Sequence, residues 1–414
     1  MGSIKKTICM VTNWYPTKQN PYQGIFFKEQ ALALEEHFDF LVVHYNERKN
    51  ESAVGYIIRK IRKETISVEK IGEEKNIVEY NIIAYSSKWL IYIEKILKIL
   101  KIHSKVIKTS DERKKEQIQK VFREYLKEEV DAFYCVDAQY ESYILQCAAN
   151  ALGKPYIVSE HAPFPYPGHV ISENEKNAIE KANLFIAISY DKIRQVLMQD
   201  IHPKKIVYVG NMVNEEQFSL NKRNNKIKTF IMVAANSFYK NYPLFIDVFN
   251  RLTEITEIPF RVIIVGYGAN KGYSKNVEEL ENRIKASKFS QFAELIREVN
   301  HDKIQEVYSR ADAFVMTSIQ EGMPVSALEA GCCGLPIFST MCGGVEDYVN
   351  DDIGRIYKIV DSDSFANGLK EYLEGRIIFN REHIRNYIIE RYGKDLFLNR
   401  MKQLFNETID NHLN

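Results

Sequence analysis

Residues 317–348 read TSIQEGMPVSALEAGCCGLPIFSTMCGGVEDY. Two short apolar runs, Ala313–Thr317 and Pro336–Thr340, enclose a turn and a helical stretch, Val325–Ala330. A strand–turn–helix–strand unit of this kind needs a sheet to lie on. The same order recurs earlier. Thr7–Thr12 is a short apolar run suited to a buried parallel strand. A helical pattern (Phe26, Phe27, Gln30, Ala31, Leu34) and a second run, Asp39–Tyr45, follow it. Repeated strand–loop–helix–strand order predicts an α/β chain with parallel sheets, and 414 residues suffice for two domains.

The turn before Val325 carries chemistry. Proline suits the first turn of a helix, where its missing N–H costs no bond, so a helix is expected to start near Pro324 with Glu321 just ahead of it. The first-turn N–H groups and the positive dipole end make an anion site. Glu329 lies inside the same helix. At a rise of about 1.5 Å per residue, the two carboxylates stand about 12 Å apart along the axis. That is the length of an extended sugar-diphosphate-ribose. The small residues Ser326, Ala327, Ala330 and Gly331 permit close approach. An ordinary crossover with a capping acid fits the spacing equally well.

The pattern Glu321-Gly322-x-Pro324-x4-Glu329-Ala330, followed by Gly343-Gly344 and Glu346, resembles the E-x7-E signature of the retaining family 4 glycosyltransferases. The resemblance is strongest over 230–349 and weaker over 7–35 and 154–216. It implies the GT-B fold: two facing Rossmann-like domains with parallel sheets and an interdomain cleft. It also implies a nucleotide-sugar donor, a glycan or lipid-linked acceptor, no bound cofactor and no metal. On this reading Glu329 accepts hydrogen bonds from the ribose and Glu321 faces the sugar. The N–H groups of Val325 and Ser326, in the loop with Gly322 and Met323, hold the diphosphate.

Other positions carry the resemblance further. Gly24 opens the first helix after the loop YPTKQNPYQG, where a chain must turn sharply or pass close to something. The family uses such a glycine beside the diphosphate. Lys154–Glu160 reads as a strand ending at His161. A histidine at a strand's carboxyl end is placed for chemistry, although a lone histidine is more often structural; the family's loop histidine contacts the donor sugar. VAANSFYKNYPLFI resembles the family's V-G-R-L-x-x-x-K-G stretch. Lys240 matches the lysine of a diphosphate clamp, whereas Ala235 stands where the family has arginine. Without the resemblance, Lys240 is simply an exposed lysine. Gly266 and Gly268 follow an apolar strand. The third glycine and downstream acid of a dinucleotide fingerprint are not in place, so the pair is expected to let a turn pass beneath the ligand. Asn211-Met212-Val213-Asn214 reads as an interdomain turn. Asp361-Ser362-Asp363 has metal-like spacing but precedes a helix, where Asp361 serves as an N-cap.

These readings place an N-terminal acceptor-binding domain at 1–215 and a nucleotide-sugar-binding domain at 216–385. A C-terminal helix at 386–414 is expected to cross back to the first domain. The net charge of +1 gives no basic field for nucleic acid. Six cysteines without framework or ligand spacing suit a reducing cytoplasm. No 18-residue apolar run and no secretory signal are read. Lys88–Lys108 is basic and amphipathic. It reads either as a domain helix or as a peripheral contact with the cytoplasmic membrane face. Readings of another class remain: a nucleotide-sugar epimerase, a glycan phosphorylase, or a non-catalytic nucleotide-sugar-binding protein.

Overall fold

A computed structural model describes residues 5–17, 24–87, 89, 92, 96, 110–126, 129–220, 226–268 and 274–413. Most of the loop 17–23, of the stretch 88–108 and of the polar segment 221–228 lies outside the described residues. The chain divides into two compact units. One comprises Met1–Ala187, Gln195–Val207 and Arg400–Asn414; the other comprises Ile188–Arg194 and Tyr208–Asn399.

Among the described residues, the first unit is built on eight strands. They are β1 (Lys6–Val11), β2 (Phe38–Glu51), β3 (Ile66–Glu74), β4 (Ile77–Ser87), β5 (Ala132–Cys135), β6 (Tyr156–Glu160), β7 (Leu184–Ala187) and β8 (Ile206–Tyr208). Their spatial order is β3-β4-β2-β1-β5-β6-β7-β8. β1 pairs parallel with both β2 and β5, so the winding reverses there. β3 and β4 form an antiparallel hairpin turned at Lys75, whose φ is 52°. This hairpin is absent from the sequence reading of 50–125. The reason lies at the edge of the sheet: β3 buries only Ile66, so no apolar period marks it. The helix Glu173–Lys181 escaped notice likewise. It buries only Ala178 and Ile179, and a capping box between Ser172 and Glu175 starts it. The helices Arg381–Tyr392 and Lys394–Leu413 break at Gly393.

Among the described residues, the second unit has six strands: β9 (Lys228–Val233), β10 (Phe260–Val265), β11 (Ala293–Ile296), β12 (Ala313–Met316), β13 (Ile337–Thr340) and β14 (Gly354–Tyr357). Every pairing is parallel, in the order β11-β10-β9-β12-β13-β14. Alternate side chains feed two separate cores. Phe230, Met232, Val262, Ile264, Val315 and Phe338 pack beneath the helices Tyr242–Ile255, Ser274–Lys285 and Ser362–Leu373. Ile231, Ile263, Phe314, Met316 and Ile337 pack with Val325–Cys332 and Arg381–Tyr392. Burial on both faces explains the unbroken apolar runs of these strands. Asp361 caps Ser362–Leu373 by accepting from Ser364 N at 2.9 Å, as its position ahead of a helix predicts.

Phe249 is fully buried, 5.6 Å from Phe230 and 4.7 Å from Phe245 between ring centres. Replacing Phe249 with alanine is expected to cost about 3–5 kcal/mol. Urea unfolding checks this through a lowered midpoint at unchanged slope.

Candidate active site

The winding of the second sheet reverses between β9 and β12. Connections leave those two strands in opposite directions, and the crevice between their carboxyl ends is the usual ligand position in open parallel sheets. Lys240 follows β9 and Glu321 follows β12. The chain leaves β9 through a single turn of 3₁₀ helix, Phe238–Lys240. Asn241 then adopts a left-handed φ of 49°, and its side chain caps the helix Tyr242–Ile255. Three hydrogen bonds fasten this turn to the loop after β12. Ile319 N donates to Tyr239 O at 2.7 Å, and Thr317 Oγ1 reaches the carbonyls of Lys240 and Asn241 at 3.1 and 3.2 Å. Lys240 Nζ thereby meets Glu321 Oε1 at 2.6 Å, and Ser318 Oγ donates to the same oxygen at 2.7 Å.

Glu321 is also held from behind. Its N–H donates to Cys342 O at 2.6 Å, and it forms a parallel bridge with Gly343. Gly343 has φ 117°, and a Cβ there would lie 2.5 Å from Glu321 O. A Cβ on Gly344 would lie 2.0 Å from Gly322 O. Only glycines let these two backbones touch. Glu346 completes the turn by accepting from Gly343 N at 2.9 and 3.1 Å.

Pro324 is the N-cap of Val325–Cys332. Its carbonyl accepts from Ala327 N and Leu328 N at 3.2 and 3.3 Å. Val325 and Ser326 are half-buried, and the first two N–H groups of a helix have no intrahelical acceptor. Met323 is buried, and its carbonyl accepts from Asn211 Nδ2 at 2.8 Å. The 211–214 turn thus buttresses the helix mouth. Glu329 is buried, with Tyr308 donating to Oε2 at 2.9 Å and His301 Nε2 lying 3.1 Å from Oε1. Burial, reinforced by the Glu329 carboxylate, pushes the Tyr308 hydroxyl well above the ordinary tyrosine range. Neither His301 nor Tyr308 was singled out from the sequence. His301 did carry a signal: it opens a 3₁₀ turn, His301–Lys303, in the connection that follows β11.

Gly266 and Gly268 lie at the neighbouring strand end. Gly266, with φ 84°, donates to Ile296 O at 3.0 Å, and Gly268 donates to Arg297 O at 2.9 Å. A Cβ on Gly268 would press to 3.0–3.1 Å from Arg297. Both glycines therefore carry the β10–β11 pairing past the strands. Residues 269–273 lie outside the described residues.

In the first unit, Gly24 has φ 63° and opens the helix Ile25–Leu34. A Cβ there would stand 2.3 Å from Trp14 O, so both reasons for a glycine hold. Phe26 and Phe27 follow it, and His161 packs on them, with ring centres at 5.9 and 4.7 Å. His161 Nε2 is 3.1 Å from Ser159 Oγ. Nearby, the loop after β1 is tied to the helix after β5 by Asn13 N donating to Glu141 Oε1 at 2.7 Å. Burial, with Asp137 adding to it, pushes the Glu141 carboxyl well above the usual range. The structure thus gathers Lys240, Glu321, Gly322, Met323, Val325, Ser326 and Glu329 in one unit, with Gly266 and Gly268 at its adjacent strand end. Gly24 and His161 come together in the other unit.

Two Rossmann-like units, the second with a lysine–glutamate pair at its switch point, make up a GT-B type of fold. Residues 213–391 match the model of the family described as glycosyl transferases group 1. It is 23% identical over 258 residues to the phosphatidylinositol N-acetylglucosaminyltransferase gpi3 subunit of Schizosaccharomyces pombe, covering 59% of this chain and 53% of that protein. It is 24% identical over 238 residues to the UDP-Gal:alpha-D-GlcNAc-diphosphoundecaprenol alpha-1,3-galactosyltransferase of Escherichia coli, covering 54% and 60%. The chain therefore spans just over half the length of these relatives. Sucrose-phosphate synthase from Thermosynechococcus elongatus shares the fold, with a TM-score of 0.69 at 14% identity over 97% of this chain and 99% of that one.

Gly344→Ala is expected to destabilise the protein by about 1–3 kcal/mol, because the clash is with backbone that cannot rotate away. Its thermal midpoint, set against that of Gly375→Ala, checks this; a Cβ on Gly375 has nothing within 4 Å, although its φ of 73° carries its own strain. Asp347 supplies a pH dependence. Its carboxylate accepts from Tyr190 N at 2.9 Å, and burial, with Asp191 adding to it, raises its pKa to about 6. The folded state therefore holds this proton longer than an unfolded chain with a pKa of about 3.9. Stability from this group falls as pH rises from about 4 to about 6 and is level above that. Asp347→Asn keeps an acceptor for Tyr190 N and should flatten that part of the curve relative to wild type, as urea midpoints across pH would show.

Proposed function

We propose that this chain transfers a sugar from a nucleotide-diphospho-sugar to a glycan or lipid-linked acceptor, in the synthesis of a cell-surface polysaccharide or glycolipid. The observation that carries this reading is a helix mouth set between two acids, Glu321 ahead of the Pro324 cap and Glu329 inside the helix. Glu329, oriented by Tyr308 and His301, would accept from the ribose diol. Glu321 would face the sugar and oppose its developing positive charge. Between them, Val325 N and Ser326 N with Lys240 would bind the diphosphate and stabilise it on departure. Gly266 and Gly268 would underlie the donor, and Gly322 and Met323 would shape its loop. Gly24 as a neighbour of the diphosphate and His161 as a sugar contact rest on the family resemblance.

Retention of anomeric configuration is part of the proposal. The acceptor hydroxyl attacks the anomeric carbon from the face the phosphate leaves, and the departing phosphate oxygen takes the hydroxyl proton. The C–O bond to phosphate breaks as the C–O bond to the acceptor forms. No metal is invoked, because Lys240 and the helix dipole supply the positive charge at the diphosphate. The acceptor class is supported by the named activities of the relatives, which act on a phosphatidylinositol and on a diphosphoundecaprenol substrate. The UDP-Gal in the second name makes a UDP-sugar the first donor to try. The proposed site of action is the cytoplasm, at a membrane face. One observation favours a non-catalytic binder: Ala235 replaces the clamp arginine, while Lys240 is already engaged by Glu321.

A thermal-shift series with UDP-, GDP- and ADP-sugars should show a rise for one nucleotide. In that background, Glu329→Ala should weaken nucleotide binding about tenfold or more, the scale of losing charged hydrogen bonds. Glu321→Ala should keep nucleotide affinity and lower turnover. Equal loss of binding in both variants would refute this division of roles, and donor turnover would exclude the silent binder.

A further inference from the structure

The helix Ala53–Ile61, between β2 and β3, exposes its apolar side chains. Val54, Ile57, Ile58 and Ile61 are 68%, 52%, 44% and 76% accessible. Their spacing puts all four within an arc of about 100°. The helix is attached by its opposite side. Tyr56, about 150° from the middle of that arc, is buried, and Arg59 stacks on the ring of Tyr85 in β4, 3.9 Å from its centre. The apolar stripe therefore points away from the unit that holds the helix. Ser52 caps the helix by accepting from Gly55 N at 3.0 Å, so the element is properly begun and not a frayed end.

Charge decides what covers such a face. Lys60 and Arg62 flank the stripe on either side, and Arg59 and Lys63 follow the same turn; no acid occurs from Ser52 to Lys63. The chain as a whole carries only +1, so these cations are a local concentration. A protein partner or a second copy would bury isoleucines and leave cations at the rim to be matched one by one. An anionic bilayer accepts both at once: acyl chains take the isoleucines, and headgroups take the cations. Just past the end of β4, Trp89, Tyr92 and Ile96 are also exposed, at 64%, 58% and 55%, with helical spacing. Among the described residues no helix is long and apolar enough to cross a membrane, so contact through this region would be peripheral.

We propose that the Ala53–Ile61 helix is a membrane-docking element that lies in the headgroup layer of an anionic bilayer through Val54, Ile57, Ile58 and Ile61, with Lys60 and Arg62 at its edges. This agrees with a lipid-linked acceptor but does not rest on the transfer reaction. Vesicle binding is read without turnover, so either idea can fail alone. The test is flotation of the full chain with phosphatidylcholine vesicles, with and without phosphatidylglycerol. Wild type should float with the anionic vesicles, and less so as salt rises. Ile57→Ser with Ile61→Ser, and separately Lys60→Glu with Arg62→Glu, should each lower the bound fraction about tenfold with unchanged circular dichroism. If the isoleucine variant misfolds, the charge variant decides. No flotation of wild type, undiminished flotation of the charge variant, or a dimer that the variants dissociate while vesicle binding persists would overturn the proposal.

Discussion

Two stretches of backbone touch where Gly343-Gly344 lies on Glu321–Met323, and the candidate site depends on that contact. The carbonyls of Glu321 and Gly322 occupy space that any Cβ at 343 or 344 would need. The loop after β12 is thereby pressed into one path. That path delivers Glu321 toward the turn after β9 and sets Pro324 as the cap from which the helix starts. The Glu346 carboxylate and the Cys342 carbonyl satisfy the polar groups that so tight an approach would otherwise strand.

The Lys240–Glu321 pair stands on this platform. Its side chains are 24% and 13% exposed, so neither charge is fully hydrated, and each is the other's main compensation. A diphosphate arriving beside the helix mouth would offer Lys240 a stronger partner. In the proposed reaction, Glu321 would then be released toward the sugar at the moment its charge is useful. Lys240 can serve both partners because an ammonium is a point charge on a flexible stem. The arginine that the family resemblance calls for at position 235 would have been a rigid fork instead.

The middle of the second sheet was legible because its strands are buried on both faces. Segments such as FRVIIV and AFVM are continuous apolar runs, and they sit where the chain order places them. The first unit was legible except at its β3–β4 edge and in one helix. β3 and the helix Glu173–Lys181 bury too few side chains to leave a period, and what defines them is pairing with β4 and a capping box. The acids Glu321 and Glu329 were legible because a family pattern sets their spacing. Their partners were not. Tyr308 and His301 come from a different helix and loop, and nothing along the chain links them to Glu329.

By itself the sequence determined periodicity and local geometry: which runs become two-sided strands, where proline starts a helix, which positions demand glycine, and that two acids ride eight residues apart. Those are properties of neighbouring residues, set by sterics and backbone hydrogen bonding. Only the tertiary structure decided who meets whom: Lys240 on Glu321, Tyr308 and His301 on Glu329, Gly344 on Gly322, and an isoleucine stripe left facing outward. Each of these contacts joins residues far apart in the chain or depends on what a helix is not packed against. Such relations exist only once the sheet has brought the loops to one edge.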